Sequence, residues 1–117
     1  MMFSDTAAVR VFLAPGATDM RKSFNGLYAL VRGALHGDPL SGHLFVFCNR
    51  RHDRIKILYW DGSGLWVCAK RLETGRFHWI GRPEEAENKR LILAQELSMI
   101  LGGLDWGKSE RKRWFSR

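Results

Sequence analysis

The spacing of apolar residues in the first third of the chain predicts a strand followed by a helix. Residues 9–13 are mostly apolar and are followed by Pro15 and Gly16, as expected for a short strand that ends in a turn. Thr18 is a suitable N-cap, and helical spacing continues from there to Gly37, so we expect a helix between these two residues. The apolar side of this predicted helix consists of Met20, Phe24, Leu27, Tyr28, Val31 and Leu35, and the solvent side includes Lys22, Asn25 and Arg32.

The pattern changes to strands between residues 42 and 79. Residues 44–48 are apolar throughout, as in a strand at the centre of a sheet, and residues 54–60 alternate between two faces. Residues 61–64 (DGSG) predict a tight turn into a strand over 65–71, and residues 73–75 predict another turn into a strand over 76–79. Because short connections join antiparallel neighbours, we expect a four-stranded antiparallel meander.

Helical spacing returns over residues 84–101 and ends at Gly102 and Gly103. The apolar side of this second predicted helix consists of Leu93, Leu97, Ile100, Leu101 and Leu104. Together the elements indicate an α+β class, with a small antiparallel meander of about four to five strands packed with two helices. A single domain over residues 1–106 and a basic tail over residues 107–117 are expected, and the length of 117 residues fits one domain.

The composition indicates a soluble protein of a reducing compartment. No stretch approaches the roughly 20 apolar residues that span a bilayer, and the first residues lack the pattern of a signal peptide. Two cysteines, Cys48 and Cys68, do not form a disulfide framework. We therefore expect a cytoplasmic protein.

The charge balance points to nucleic acid. The chain has 19 Lys and Arg against 12 Asp and Glu, a net charge of +7, and its pI is close to 10.0. Such basicity in a small domain is typical of nucleic-acid-binding proteins. Five of the last ten residues are basic, so the tail either docks on phosphates or folds back through Trp114 and Phe115.

The turn between the first two strands of the meander concentrates cations. A tip of this kind projects from a rigid sheet, and the planar fork of arginine binds phosphate or a guanine edge. The predicted nucleic-acid contacts are Arg50, Arg51, Arg54 and Lys56, with Lys70, Arg71 and Arg76 adding phosphate neutralisation. The alternative is a solvated turn in which Asp53 pairs with one of the arginines.

Aromatic residues of the meander provide the second hypothesis, a protein interface. Trp60, Trp66 and Phe77 are the candidate contacts with a protein partner, and for the tryptophans the alternatives are core packing or stacking on unpaired bases.

The sequence gives little support for a metal site or for catalysis. Cys48 and His52, and further on Cys68 and His78, lie on different predicted strands and form no CxxC pair, so no metal is predicted. The aspartates stand mostly in turns and caps, and no phosphate-binding GxxxxGK[ST] loop is present. We therefore predict a non-enzyme without catalytic residues or cofactors.

Ordered motifs over residues 9–106 resemble one bacterial family, the TnpB accessory proteins encoded by the second open reading frame of insertion sequences of the IS-sixty-six family. The motifs are residues 18–27 (TDMRKSFNGL), 42–47 (GHLFVF), 49–51 (NRR), 53–56 (DRIK), 58–61 (LYWD), Gly64, 70–73 (KRLE), 75–77 (GRF) and 104–106 (LDW). Cys48, His52 and Ile80 depart from the family pattern, which is a further argument against Cys48 and His52 as metal ligands.

The resemblance implies a cytoplasmic accessory protein that is encoded beside a separate, larger transposase and supports transposition. It implies no catalytic residues and no membrane association. Two mechanisms stay open at this point. In one the protein binds DNA, such as the element ends, or the transposase–DNA complex through the basic hairpin; in the other it is an adaptor that docks on the transposase without touching DNA.

Overall fold

The computed structural model describes residues 9–80 and 88–103. In this part of the chain the protein has an α+β fold, which confirms the predicted class. The elements are β1 (Val11–Leu13), α1 (Phe24–Gly33), β2 (Leu44–Cys48), β3 (Arg54–Trp60), β4 (Leu65–Arg71), β5 (Arg90–Ile92) and α2 (Ala94–Gly102).

The strands form one sheet in the order β4-β3-β2-β1-β5. The three central segments of the predicted meander, β2, β3 and β4, pair antiparallel as expected. β1 instead pairs parallel with β2, with Val11 opposite Leu44, and β5 pairs antiparallel with β1. The sheet is therefore mixed, because α1 forms a crossover that returns the chain to the sheet in the same direction.

The fourth meander strand, predicted over residues 76–79, is not formed. Arg76 makes only a single bridge, and the Phe77 amide donates a 2.7 Å hydrogen bond to the His52 carbonyl. Phe77 is buried in the core, and Trp79 and Ile80 pack against the same cluster, so this segment covers a face of the sheet instead of extending it. Among the described residues, β4 is an edge of the sheet.

Both helices begin later than predicted. The Thr18 amide donates to the Cys48 carbonyl at 2.8 Å, so Thr18 lies beside the end of β2 and does not cap a helix; α1 begins at Phe24. The second helix begins at Ala94, where the Leu93 amide donates to Glu96 Oε1 at 2.8 Å. The three residues of β5 stand where helix was predicted. Predicted features at residues 84–87, at Leu104 and in the tail over residues 107–117 lie outside the described residues.

The core lies on both faces of the sheet. On one face α1 packs its Leu27 and Val31 against β2 and β3, and this is called the α1 face. On the other, the α2 face, Leu97 and Ile100 of α2 pack against the opposite sides of the same strands. All five residues of β2 are buried, as their apolar run predicted. Neither of the helices in the described ranges is long and apolar enough to cross a membrane.

Candidate nucleic-acid interface

The tip between β2 and β3 is held in one shape by the Asn49 side chain. Its Oδ1 accepts hydrogen bonds from the amides of Asp53 and Arg54, both at 3.0 Å, and its Nδ2 donates to Asp53 Oδ1 at 2.7 Å. The bond from Asn49 lowers the pKa of the Asp53 carboxyl, and Arg51 adds to the effect. His52 adopts a left-handed backbone with φ of 61°, which closes the turn.

The arginines of the tip face solvent. Arg50 is exposed, and the Arg51 side chain is 82% exposed while its Nε lies 4.0 Å from Asp53 Oδ2. An exposed pair at this distance holds a guanidinium weakly. The alternative of an internally neutralised turn therefore applies at most to Arg51, and it leaves the charge of Arg50 unmatched.

Two further segments end beside the tip. The Leu72 amide, just after β4, donates to the Asp53 carbonyl at 2.9 Å, and the register of β3 with β4 places Arg71 directly opposite Arg54. Arg76 lies close to His52 and, after burial, is the second cause of the lowered pKa of that imidazole. The hairpin, the end of β4 and the Arg76 segment thus bring their cations together.

The loop before α1 adds cations that the sequence had not assigned to the site. The Lys56 ammonium donates a 2.7 Å hydrogen bond to the Lys22 carbonyl, which fixes this loop against β3. Arg21 pairs with Asp19 at 2.7 Å, and this hydrogen bond lowers the pKa of the Asp19 carboxyl well below its usual range. Both Arg21 and Lys22 are exposed.

These segments form a cationic end of the sheet, which is called the basic end. Among the residues that the structure describes, it contains three carboxylates, Asp19, Asp53 and Glu73. Its Lys and Arg residues number nine: Arg21, Lys22, Arg50, Arg51, Arg54, Lys56, Lys70, Arg71 and Arg76. All seven predicted nucleic-acid contacts therefore lie at one end of the molecule.

The cations of the basic end differ in how far they are engaged. Lys56 and Lys70 each place Nζ on a main-chain carbonyl, that of Lys22 at 2.7 Å and that of Leu101 at 2.8 Å. Arg71 pairs with Glu73 at 3.1 Å. Among the residues that the structure describes, Arg50, Arg54 and Arg76 form no ion pair. Those three guanidinium groups, with Arg51, are the most available to an anion.

The residues predicted for a protein interface do not form one surface. Trp60 is half-buried on the α1 face, whereas Trp66, which lies opposite Tyr59 across the hairpin, is on the α2 face and is 47% exposed. Phe77 is 2% exposed in the core on the α2 face. Its side chain offers no surface to a partner, so the prediction for Phe77 is corrected to a core position.

The cysteines and histidines do not converge. Burial raises the pKa of the Cys48 thiol to about 12, while Cys68 is exposed on β4, with β3 between the two strands. In the described ranges, no group of three His, Cys, Asp or Glu side chains is placed to hold a metal ion.

Arg21 and Lys22 are the members of the basic end that the sequence did not assign to it. The adjacent cations were a visible signal, but the helical pattern put Lys22 on the solvent side of a longer helix. Only the hydrogen bond from Lys56 shows that this loop reaches the same end of the sheet.

Comparison with known proteins agrees with the motifs. The protein y4jC of Sinorhizobium fredii is 38% identical over 111 residues, which cover 95% of this chain and 92% of that protein. The protein y4hO of the same organism is 41% identical over 98 residues, covering 84% of this chain and 83% of that protein. No solved structure matches the chain at a significant level. The model of the IS66 Orf2-like proteins, the TnpB proteins of these insertion sequences, matches residues 9–111, and the chain belongs to this family.

Proposed function

We propose that the protein is a non-catalytic accessory factor of transposition that acts in the cytoplasm and contacts nucleic acid through its basic end, either directly or within a transposase–DNA complex. Membership of the family supports the transposition context. The observation that carries the proposed contact is the basic end itself, where four segments of the described chain bring nine cations together against three carboxylates.

The arrangement suits a phosphate backbone. Phosphate contacts dominate nucleic-acid affinity and require no base recognition, so several cations at one end of the sheet are sufficient, although Arg54, Lys56 and Arg71 lie on its α1 face and Lys70 on its α2 face. Arg50 and Arg51 stand on a tip whose main chain is fixed by Asn49, so little order has to be gained when they bind. Arg54 and Arg76 add two guanidinium groups that form no ion pair among the described residues.

Matched pairs of arginine substitutions test this proposal. Arg50→Ala/Arg51→Ala removes two charges from the basic end, and Arg10→Ala/Arg32→Ala removes two exposed charges elsewhere. Fluorescence anisotropy with labelled element-end duplex, single-stranded DNA and RNA measures the affinity. We expect at least a tenfold loss for the first variant, equivalent to about 1.4 kcal/mol, and a much smaller loss for the second. Equal losses would show that only net charge matters, which contradicts a defined contact surface.

A second candidate function, an adaptor that docks on the transposase, is favoured by the exposed Trp66. Its indole Nε1 is held on Asp61 Oδ2 at 2.7 Å, so a large apolar surface is presented in a fixed orientation. Co-purification with the transposase after nuclease treatment, lost in Trp66→Ala and kept in Arg50→Ala/Arg51→Ala, supports the adaptor. The opposite pattern supports nucleic-acid contact.

A further inference from the structure

Among the described residues, β4 is a long strand at the edge of the sheet, and only its last two residues, Lys70 and Arg71, are charged. It pairs with β3 through seven consecutive residues, from Arg71 opposite Arg54 to Leu65 opposite Trp60, and no bulge interrupts the register. Its first five residues, LWVCA, include neither charge nor proline. Exposed edge strands are usually short, charged along their length or interrupted by a bulge, because an unprotected edge can pair with a strand of another chain. The opposite edge, β5, has only three residues.

The hydrogen-bond pattern identifies which main-chain groups point outward. The Asp61 amide bonds to the Gly64 carbonyl and the Leu72 amide to the Asp53 carbonyl, so both ends of the hairpin are hydrogen-bonded pairs. Because such pairs alternate with non-hydrogen-bonded ones, every second residue of β4 bonds to β3. The residues between them direct their N–H and C=O groups away from β3; these are Leu65, Val67, Ala69 and Arg71.

We propose that β4 pairs antiparallel with β4 of a second copy, about a two-fold axis beside Cys68. In this register Val67 faces Ala69 of the other copy and Leu65 faces Arg71, which gives roughly eight main-chain hydrogen bonds from four pairs. A two-fold contact of this kind uses the same surface on both copies and closes on itself.

Charge along the strand selects the antiparallel direction. The first half of β4 lies beside Asp61, which accepts the Trp66 indole at 2.7 Å, and the second half ends in Lys70 and Arg71. Antiparallel pairing about Cys68 puts Lys70 of one copy opposite Trp66 of the other. The Lys70 ammonium, which bonds to the Leu101 carbonyl in the single copy, then has an aromatic ring and its bound carboxylate as an alternative partner. A parallel pairing in register would instead set the cations of one copy beside the same cations of the other, which is unfavourable.

The pairing has a consequence for the shape of the assembly. One strand and its flanking side chains form a small interface, so we expect a weak dimer that dissociates on dilution. The two sheets become continuous, and the two-fold axis turns the basic ends in opposite directions. The pairing does not depend on the proposed contact between the basic end and nucleic acid.

Cysteine crosslinking tests the register in the unmodified protein. Facing Cα atoms of a non-hydrogen-bonded antiparallel pair lie about 4.5 Å apart, within the roughly 4.4–6.8 Å spanned by disulfides. Mild oxidation with diamide should therefore give a reducible dimer on a non-reducing gel. Cys68→Ser should abolish it, and Cys48→Ser should not, because Cys48 is buried. A dimer that does not depend on Cys68 overturns the proposal.

Sedimentation equilibrium under reducing conditions tests the pairing without crosslinking. The apparent mass of the wild-type protein should rise with concentration from the 13.5 kDa of the monomer towards twice that value. Ala69→Pro removes an outward N–H that β3 does not use, so it should keep the fold, checked by circular dichroism, and remain monomeric. Wild-type protein that stays monomeric at every concentration overturns the proposal. So does a dimer that persists in a folded Ala69→Pro variant.

Discussion

Arg54 and Arg71 are direct cross-strand partners, with the first residue of β3 opposite the last residue of β4. They form a non-hydrogen-bonded pair, the type in which facing side chains come closest. Like charges in this position destabilise a sheet, and only Arg71 has a carboxylate partner among the described residues, Glu73 at 3.1 Å. Under the proposed function, a phosphate bound beside both guanidinium groups would relieve this repulsion.

Removing one of these two charges should therefore raise the stability of the fold and weaken the binding of DNA. We expect Arg54→Thr to raise the free energy of unfolding by about 0.2–1 kcal/mol at low salt, because the repulsion is removed. The same variant should bind DNA more weakly. Urea denaturation and anisotropy measure the two effects. The gain in stability should fade at 1 M salt, where charges are screened beyond about 3 Å. A variant that is less stable yet binds normally would contradict this role for the pair.

The strands at the centre of the sheet could be predicted from the sequence, whereas their non-local neighbours could not. The apolar run of residues 44–48 and the DGSG turn fixed β2, β3 and β4 locally. The parallel pairing of β1 depends on Val11 meeting Leu44 after a crossover of about thirty residues, and no local pattern encodes it. β5 has three residues, too few to interrupt the helical spacing around Leu93.

The candidate site, too, could be predicted only in part from the sequence. Its cation types were visible in the sequence, and the hairpin tip was identified from the two flanking strands. The position of these cations at one end of the sheet depends on the strand register, because a one-residue slip of β4 would move Arg71 to the other face. Phe77 could not be recognised as core, because its burial depends on a segment that hydrogen-bonds to His52 and not to β4.

Acid should weaken the β3–β4 turn through Asp61. Its carboxylate accepts four hydrogen bonds, from the Trp66 indole, the Ser63 amide, the Gly64 amide and the Ser63 hydroxyl, and these lower the pKa well below the ordinary 3.8. A lowered pKa in the folded state contributes stability above about pH 4 that is lost as the pH falls further. Asp61→Ala should therefore melt below wild type at pH 7, and the difference should shrink at pH 2.5. An equal difference at both pH values would argue against an ionised acceptor.

The two cysteines should differ sharply in reactivity. Cys68 is exposed on the edge strand, whereas Cys48 is buried and its pKa is raised to about 12, so it forms almost no thiolate at neutral pH. We expect a disulfide reagent such as DTNB to titrate one thiol in the native protein and two in denaturant. Cys68→Ser should react at least about 100-fold more slowly than wild type while it is folded. Rapid modification of two thiols in the native protein would contradict the burial of Cys48.

Phe77 should behave as a core residue and not as a contact with a partner. Because its ring is 2% exposed among Ile55, Leu97 and their neighbours, Phe77→Ala should lower the free energy of unfolding by about 3–5 kcal/mol. Met99→Ala, at a side chain 72% exposed, is the control and should change it by about 0.5 kcal/mol or less. Chemical denaturation measures both. A Phe77→Ala variant as stable as the Met99→Ala control would place the ring outside the core.

The salt dependence of DNA binding tests the basic end most directly. Each phosphate contact adds about −0.9 to the slope of log Kobs against log salt concentration. If Arg50 and Arg51 each contact one phosphate, Arg50→Ala/Arg51→Ala should make the slope less negative by about 1.8 units, while Arg10→Ala/Arg32→Ala should keep the wild-type slope. Equal slopes for wild type and the tip variant, or no DNA or RNA binding by wild-type protein at low salt, would contradict nucleic-acid contact through the basic end.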